Sequence, residues 1–202
     1  MPTKAAIVSG GFSDAVFQSQ QVFKTVMDGM ARPGTLKSID LSINPPAPLG
    51  HATGGILLTL CDHDTPVWLS APLAKSIVAG WLAFHTGAPV AEAKTEARFA
   101  VIEPGSGLSS FDLFAQGTQD YPDRSATVII GVTDFETGPQ MVLSGPGIRH
   151  TETIRPSGLP EIFERLWNEN RAVFPRGVDV ILTCGNRLIC LPRTTRIEVM
   201  GS

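Results

Sequence analysis

The chain has 202 residues, 43% of them apolar and 17% charged, and its 16 Lys and Arg against 19 Asp and Glu leave a formal net charge of −3. That length fits one folded domain; a disordered polypeptide would carry fewer apolar residues, and a nucleic-acid binder an excess of Lys and Arg. The charged fraction lies below the roughly 25% usual for soluble domains, so part of the surface is expected to be covered by another subunit.

Residues 1–13 read as a loose N-terminal leader, and residues 14–202 as a single domain without an interior boundary, because Gly and Pro are scattered as punctuation. Ser13-Asp14 caps a helix in which Val16, Phe17, Val22, Phe23, Val26, Met27 and Met30 recur at helical spacing, and Arg32-Pro33-Gly34 stops it. Leu36 to Leu41 alternates as a half-buried strand does, Ile56 to Leu60 is an apolar run read as a short helix, and Asp62-His63-Asp64-Thr65 is a polar turn. Val67-Trp68-Leu69 is a short buried strand. Leu73, Ile77, Val78, Trp81, Leu82 and Phe84 mark a second long helix that ends at Gly87 and Pro89.

Phe99 to Ile102 and Thr127 to Val132 read as strands, the second apolar on both faces as in a sheet covered on two sides. Gln140 to Leu143 and Thr151 to Ile154 are further strand candidates flanking Gly145-Pro146-Gly147, and a third helix is predicted over Leu159 to Ala172, with Pro160 in its first turn. Val178 to Thr183, the turn Gly185-Asn186 and Leu188 to Leu191 make a hairpin, followed by a strand at Arg196 to Val199. Pairing Cys184 with Arg187 sets Leu182 opposite Ile189 and Ile181 opposite Cys190, which puts Cys184 and Cys190 on opposite faces. The fold class is α/β, with α+β as the alternative: a mixed β-sheet covered by three principal helices.

Three cysteines without a C-x-x-C pair argue against a disulfide scaffold, and no apolar stretch reads as a membrane span or secretory signal. A cytoplasmic protein that binds neither membrane nor nucleic acid is expected. Asp62, His63 and Asp64 are the densest titratable group, just past a helix end that carries partial negative charge. They read as a hydrated turn, as partners of an arginine, or as metal ligands, though no H-x-x-x-H or D-x-D-x-D pattern supports the last. Arg32 either complements the helix dipole or offers its guanidinium to a phosphate or carboxylate, and Arg187, Arg193 and Arg196 have the same two uses. His85 is a helix cap or a general base. Cys184 would need Arg187 beside it to act as a nucleophile. Gly145-Pro146-Gly147 lacks the Lys and Ser/Thr of a phosphate loop, Gly105-Ser106-Gly107 lacks the third glycine of a dinucleotide fingerprint, and there is no G-x-S-x-G elbow. The residues by themselves offer no complete catalytic set and no metal site.

Five segments, FKTVMDGMARPG (Phe23 to Gly34), LLTLCDHDTPVWLS (Leu57 to Ser70), FHTGAP (Phe84 to Pro89), LSGPGI (Leu143 to Ile148) and FPRGVDVILTCGNRLICLPRTTRIEV (Phe174 to Val199), resemble the PhnH family, the H subunit of the bacterial carbon–phosphorus lyase complex. The resemblance implies an accessory or non-catalytic subunit in phosphonate catabolism, a homodimer that joins the G, I and J subunits. Their assembly forms ribose 1-alkylphosphonate 5-triphosphate from ATP and an alkylphosphonate, so the chain is expected to be part of a transferase complex. It also implies a fold similar to the large domain of pyridoxal-phosphate-dependent transferases, without that or any other cofactor. In keeping with this, the five lysines (Lys4, Lys24, Lys37, Lys75 and Lys94) all lie in polar or amphipathic surroundings. An anionic ligand is expected near Arg32, Asp62, Asp64, His85 and Arg193. The competing readings are an independent enzyme using His85 or Asp64 as base on a phosphorylated small molecule, and a ligand sensor.

Overall fold

The computed structural model describes residues 4–200. In chain order these form α1 (Lys4–Val8), α2 (Ala15–Ala31), β1 (Lys37–Ser38), α3 (His51–Leu60), β2 (Val67–Leu69), α4 (Ala71–Ala74), α5 (Val78–Thr86), β3 (Phe99–Ile102), β4 (Thr127–Gly131), β5 (Met141–Ser144), β6 (Glu152–Ile154), α6 (Phe163–Ala172), β7 (Asp179–Cys184), β8 (Arg187–Leu191) and β9 (Arg196–Val199). The short apolar runs of β2, β3, β4 and β7 lie side by side as parallel strands. At the edge, β8 and β1 continue the sheet antiparallel, giving the order β1-β8-β7-β4-β3-β2. A second, antiparallel sheet has the order β6-β5-β9.

Because β4 and β7 are apolar on both faces, the large sheet needs a cover on each side. On one face α2, α3 and α5 bring Val22, Ile56, Leu57, Trp81 and Leu82 against Val101, Ile129 and Ile181. On the other, α6 and the small sheet bring Phe163, Trp167 and Leu143 against Val128, Val180 and Leu182. There Phe163 stacks on Trp167 at 6.2 Å, and Phe111 meets both edge-on at 6.2 and 6.1 Å. Each buried tryptophan finds an acceptor: Trp81 Nε1 donates to Ser9 O (2.9 Å) and Trp167 Nε1 to Thr195 O (2.8 Å).

The β7–β8 hairpin has the register read from the sequence, with Cys184 opposite Arg187, Leu182 opposite Ile189 and Ile181 opposite Cys190. Cys190 is therefore buried under α2 while Cys184 packs at the margin of the other core. Burial pushes the Cys61 and Cys190 thiols up to about 12. The strand after this hairpin does not extend its sheet. Past Pro192, Thr195 N donates to Pro192 O, and β9 pairs with β5 instead, Arg196 opposite Ser144.

Four other elements depart from expectation for identifiable reasons. The long helix over residues 73–84 is two helices, because Ser76 Oγ donates to Leu73 O (2.7 Å) and accepts from Val78 N (3.1 Å), replacing ladder bonds with side-chain ones. The helix at Ile56 begins earlier, at His51, through Gly54 and Gly55 that are poor helix formers but pack against Pro45 and Ile43. The leader is ordered from Lys4: α1 lays Ile7 beside Gly80 of α5, and Gly10 O accepts from Asn44 N (2.9 Å). Residues 1–3 of that leader, and 201–202 at the far end of the expected domain, lie outside the described residues. Finally, α2 is capped by Asp14, whose carboxylate accepts from Phe17 N (3.2 Å), but it buries only part of its apolar arc. Val22 and Val26 face the core, whereas Val16, Phe17, Phe23 and Met27 are between 50% and 72% exposed.

The link from α6 to β7 depends on Asn170, buried at 3% exposure, whose Nδ2 donates to Val178 O (2.9 Å) and whose Oδ1 accepts from Val178 N (2.8 Å). Asn170→Ala orphans both backbone groups, each costing about 1–3 kcal/mol. A urea titration is expected to show a lowered midpoint with an unchanged slope; an unshifted midpoint would remove Asn170 from this role.

Candidate functional site

The five residues expected to surround an anionic ligand are divided by the fold. Asp62 and Asp64 lie in the turn between α3 and β2. Asp62 Oδ1 accepts from Thr65 Oγ1 (2.6 Å) and Asp64 N (3.0 Å), and the Thr65 hydroxyl, followed by the Asp64 amide, holds the Asp62 carboxyl below the usual carboxylate range. His63 Nε2 lies 3.3 Å from Asp64 Oδ2, both side chains in solvent. The bonds here are those of a locally closed Asx turn. His85, on the last turn of α5, packs its ring 5.0 Å from Trp81 and edge-on to Phe84, with Nε2 3.4 Å from Ser9 O. It braces the N-terminal segment. The turn at Asp62 is near it, since His63 lies against Gly87 just beyond α5.

Arg193 and Arg32 belong to another part of the same sheet edge. The start of β7 and the end of β8 are adjacent there, three strand positions from β2, or about 14 Å at ordinary strand spacing. Arg193 has no donor to spare. Its Nε and Nη2 grip Asp179 (3.1 and 2.5 Å), Nη2 also reaches Ser125 Oγ (2.6 Å), and Nη1 donates to Pro122 O (3.0 Å) and Pro175 O (3.3 Å). With its own amide on Asp179 Oδ1 (2.8 Å), it ties the β8 exit to the β7 start and to the turn at 122–125.

Next to this knot is a cavity of about 380 Å³ lined by Gly145, Pro146, Arg171, Phe174, Thr194 and Arg196 together with Arg193. Several segments meet here. Gly147 (φ 83°) presses on the turn that ends α2, where a Cβ would come within 2.4 Å of Ala31 O and 2.8 Å of Pro33 Cδ, so the SGPG loop is moulded to the ARPG turn that carries Arg32. On its other side Gly145 lies against Thr194 O. Arg171 Nε is shielded from water and has no hydrogen-bond partner among the described residues. Sequence reasoning named Arg193, Thr194 and Arg196 but missed Arg171 and Phe174. The signal was present in the predicted hairpin: β7 begins where β8 ends, so the end of α6 and the PRTTR link must share one edge.

At the opposite edge, the carboxyl ends of β3, β4 and β7 face the start of α3 across a cleft of about 110 Å³, where Thr53 and Thr183 share a buried hydrogen bond (2.9 Å) and Ser70 Oγ donates to Glu103 (3.0 Å). Cys184 points its thiol at Thr133 O (3.1 Å), while Arg187 pairs with Glu136 and lies over Phe135 at 5.6 Å. The cation that a nucleophilic Cys184 would need is thus engaged by a carboxylate. Asp134 closes the neighbouring loop, accepting from Thr137 Oγ1 (2.5 Å), Thr137 N (2.7 Å), Glu136 N (2.8 Å) and Ser157 Oγ (2.8 Å). Led by the Thr137 hydroxyl, these donors pull its carboxyl well below the usual range. Among the described residues no group of three or more His, Cys, Asp or Glu is placed to hold a metal ion.

Comparison with known proteins adds what geometry alone does not give. Residues 10–198 match the family described as bacterial phosphonate metabolism protein (PhnH). A protein of Rhizobium meliloti (strain 1021) named alpha-D-ribose 1-methylphosphonate 5-triphosphate synthase subunit PhnH is 51% identical over 198 residues, 98% of this chain and 99% of the relative. A protein of Stutzerimonas stutzeri named "Putative C-P lyase subunit protein HtxG" is 40% identical over 86 residues, 43% of this chain and 44% of the relative.

Two outcomes test these placements. Arg193→Ala leaves Asp179 without its partner in a setting where the arginine is only 13% exposed, and is expected to destabilise the fold by about 3 kcal/mol, read by denaturant unfolding; an effect below about 0.5 kcal/mol would contradict it. For Asp134, a folded-state pKa below the unfolded value means that the unfolded chain binds the extra proton. Its stabilisation is present above about pH 4 and is lost as the pH falls through the folded value. Asp134→Asn is therefore expected to flatten the fall of Tm with pH below about pH 4, and an unchanged acid limb would contradict the assignment.

Proposed function

The chain belongs to the PhnH family of bacterial phosphonate metabolism proteins, and we propose that it serves as an accessory subunit of a carbon–phosphorus lyase core complex. There it supports formation of ribose 1-alkylphosphonate 5-triphosphate from ATP and alkylphosphonate without supplying the catalytic groups. The observation that carries this reading is 51% identity, over nearly the full length of both chains, to a protein named as a subunit of ribose 1-methylphosphonate 5-triphosphate synthase. The side chains accord with it: the turn at Asp62, the ring of His85 and the guanidinium of Arg193 are each committed to local hydrogen bonds or packing.

The partners in this proposal are a second copy of the chain and subunits of the G, I and J kind, in the cytoplasm. Two features support contact with other chains. Charged residues make up only 17% of the sequence, and α2 presents Val16, Phe23 and Met27 on one side of the helix at 3.6 residues per turn, all exposed. No helix among the described residues is long and apolar enough to cross a membrane. A mostly parallel sheet with an antiparallel edge and helices against both faces is also compatible with likeness to the large domain of pyridoxal-phosphate-dependent transferases, which remains part of the proposal.

The test is genetic and biochemical. Deleting the chain is expected to abolish growth on methylphosphonate as sole phosphorus source and to reduce recovery of the tagged partner complex. Full growth with a soluble, intact complex would end the proposal. The double variant Phe23→Glu, Met27→Glu is expected to weaken co-purification while shifting stability by no more than about 0.5 kcal/mol, as exposed substitutions do; undiminished recovery would remove α2 from the contact.

A further inference from the structure

We propose that the cavity between the Gly145-Pro146 turn, the last turn of α6 and the Arg193–Arg196 link binds the phosphate or phosphonate group of a small molecule. Arg171 and Arg196 supply the cationic contacts, and Phe174 carries an attached ring. This goes beyond the accessory role, and it rests on the geometry of this chain whether or not partner subunits are bound.

Four observations converge on it. First, Arg171 Nε is withdrawn from water without an acceptor among the described residues. A cation in the last turn of α6 is accounted for by the helix dipole, but a shielded Nε–H with nothing to bond is not, and with that donor closed to solvent the Nη groups are the ones that can meet a ligand in the cavity. Second, the lining contains three arginines and no carboxylate. Arg193 is neutralised by Asp179, whereas Arg171 and Arg196 have no ion-pair partner among the described residues, which leaves two positive charges for one dianion.

Third, Phe174 is 61% exposed beside these charges. A large ring held out of the core at the mouth of a cationic cavity offers a flat face on which a base or sugar can lie. Fourth, the volume of about 380 Å³ is in the lower part of the range of roughly 300–1,000 Å³ for small-molecule sites, enough for a phosphoryl group and one ring and too small for a peptide or a nucleic acid strand. The walls are fixed: Arg193 makes five side-chain hydrogen bonds, and Gly147 seats the SGPG loop on the end of α2. A rigid wall keeps the unpaired cations in place before any ligand arrives, which limits the ordering cost of binding.

The experiment is calorimetric titration of the purified full chain with inorganic tripolyphosphate and, separately, with ATP. Both are expected to bind at one site per chain. Arg171→Ala and Arg196→Ala are expected to weaken each probe by roughly tenfold or more, as loss of a charge-assisted hydrogen bond does. Arg196 is exposed on a strand, so Arg196→Ala is expected to unfold at the wild-type midpoint, and loss of binding there does not report misfolding. Phe174→Ser is expected to weaken ATP and leave tripolyphosphate unchanged, which assigns the ring; equal ATP binding in that variant overturns the role of Phe174. Failure of both probes to bind the wild-type chain at millimolar concentration, or equal binding in both arginine variants, overturns the site. Co-purification with partner subunits, measured on the same variants, reports the accessory role separately.

Discussion

The arrangement at the basic edge of the sheet depends on one ion pair. Asp179 opens β7 and Arg193 follows β8; their contact is made of three hydrogen bonds, two from the guanidinium and one from the backbone amide. Because the remaining guanidinium donors are taken up by Ser125 and the carbonyls of Pro122 and Pro175, this one side chain joins three separate stretches of the chain. With only 13% and 24% of the two side chains exposed, the pair would cost free energy if half of it were removed. The position of the α6–β7 link, and hence of Arg171 and Phe174, is set by this knot together with the Asn170–Val178 bonds. The course of the chain into β9, which carries Arg196, follows from the knot.

Much of this was legible in the sequence, and what was not has physical causes. The hairpin at 179–191 was readable down to its register, because a two-residue Gly185-Asn186 turn between apolar runs leaves one pairing that keeps both faces buried. Asp14 as the cap of α2 and the strands at 67, 99 and 127 were equally direct. Ser76 was harder: a serine inside an apolar helical pattern gives no sign that it will take over backbone bonds and split the helix. The division into two sheets was hidden because a strand pattern does not say which edge it will find. Among the site residues, Arg32, Asp62, Asp64, His85 and Arg193 were expected near an anionic ligand, with the arginines as its chemically suited contacts, but suitability is not availability. Only the folded structure shows that every Arg193 donor is already used, whereas Arg171, which the sequence presents as an ordinary cation at a helix end, has an N–H with no acceptor among the described residues.

The same contrast separates the two faces of α2. Periodicity counts Val16, Phe23 and Met27 with Val22 and Val26 as one apolar arc, yet the sheet can cover only the part of the helix that touches it. The arc is wider than a single packing contact, since Val22, Val26 and Gly29 satisfy the core and the residues about 60–160° further round the helix remain in water. A monomer would be expected to make that strip polar. Its apolar character, together with the low share of charged residues, is what a chain with another chain docked on this helix would carry.

An accessory role and a ligand cavity are compatible, because they use different parts of the molecule. The strip on α2 runs along the solvent side of the helix, whereas the cavity begins beyond the helix's last turn, where Ala31 and Pro33 receive Gly147. A partner resting on α2 therefore need not cover Arg171 or Arg196, and occupancy of the cavity need not alter the strip. The ARPG turn is nevertheless common to both: it ends the helix that carries the strip and supports the loop that forms the cavity wall. The strip and the cavity thus share the contact of Gly147 with Ala31 O, where there is no room for even one additional carbon atom.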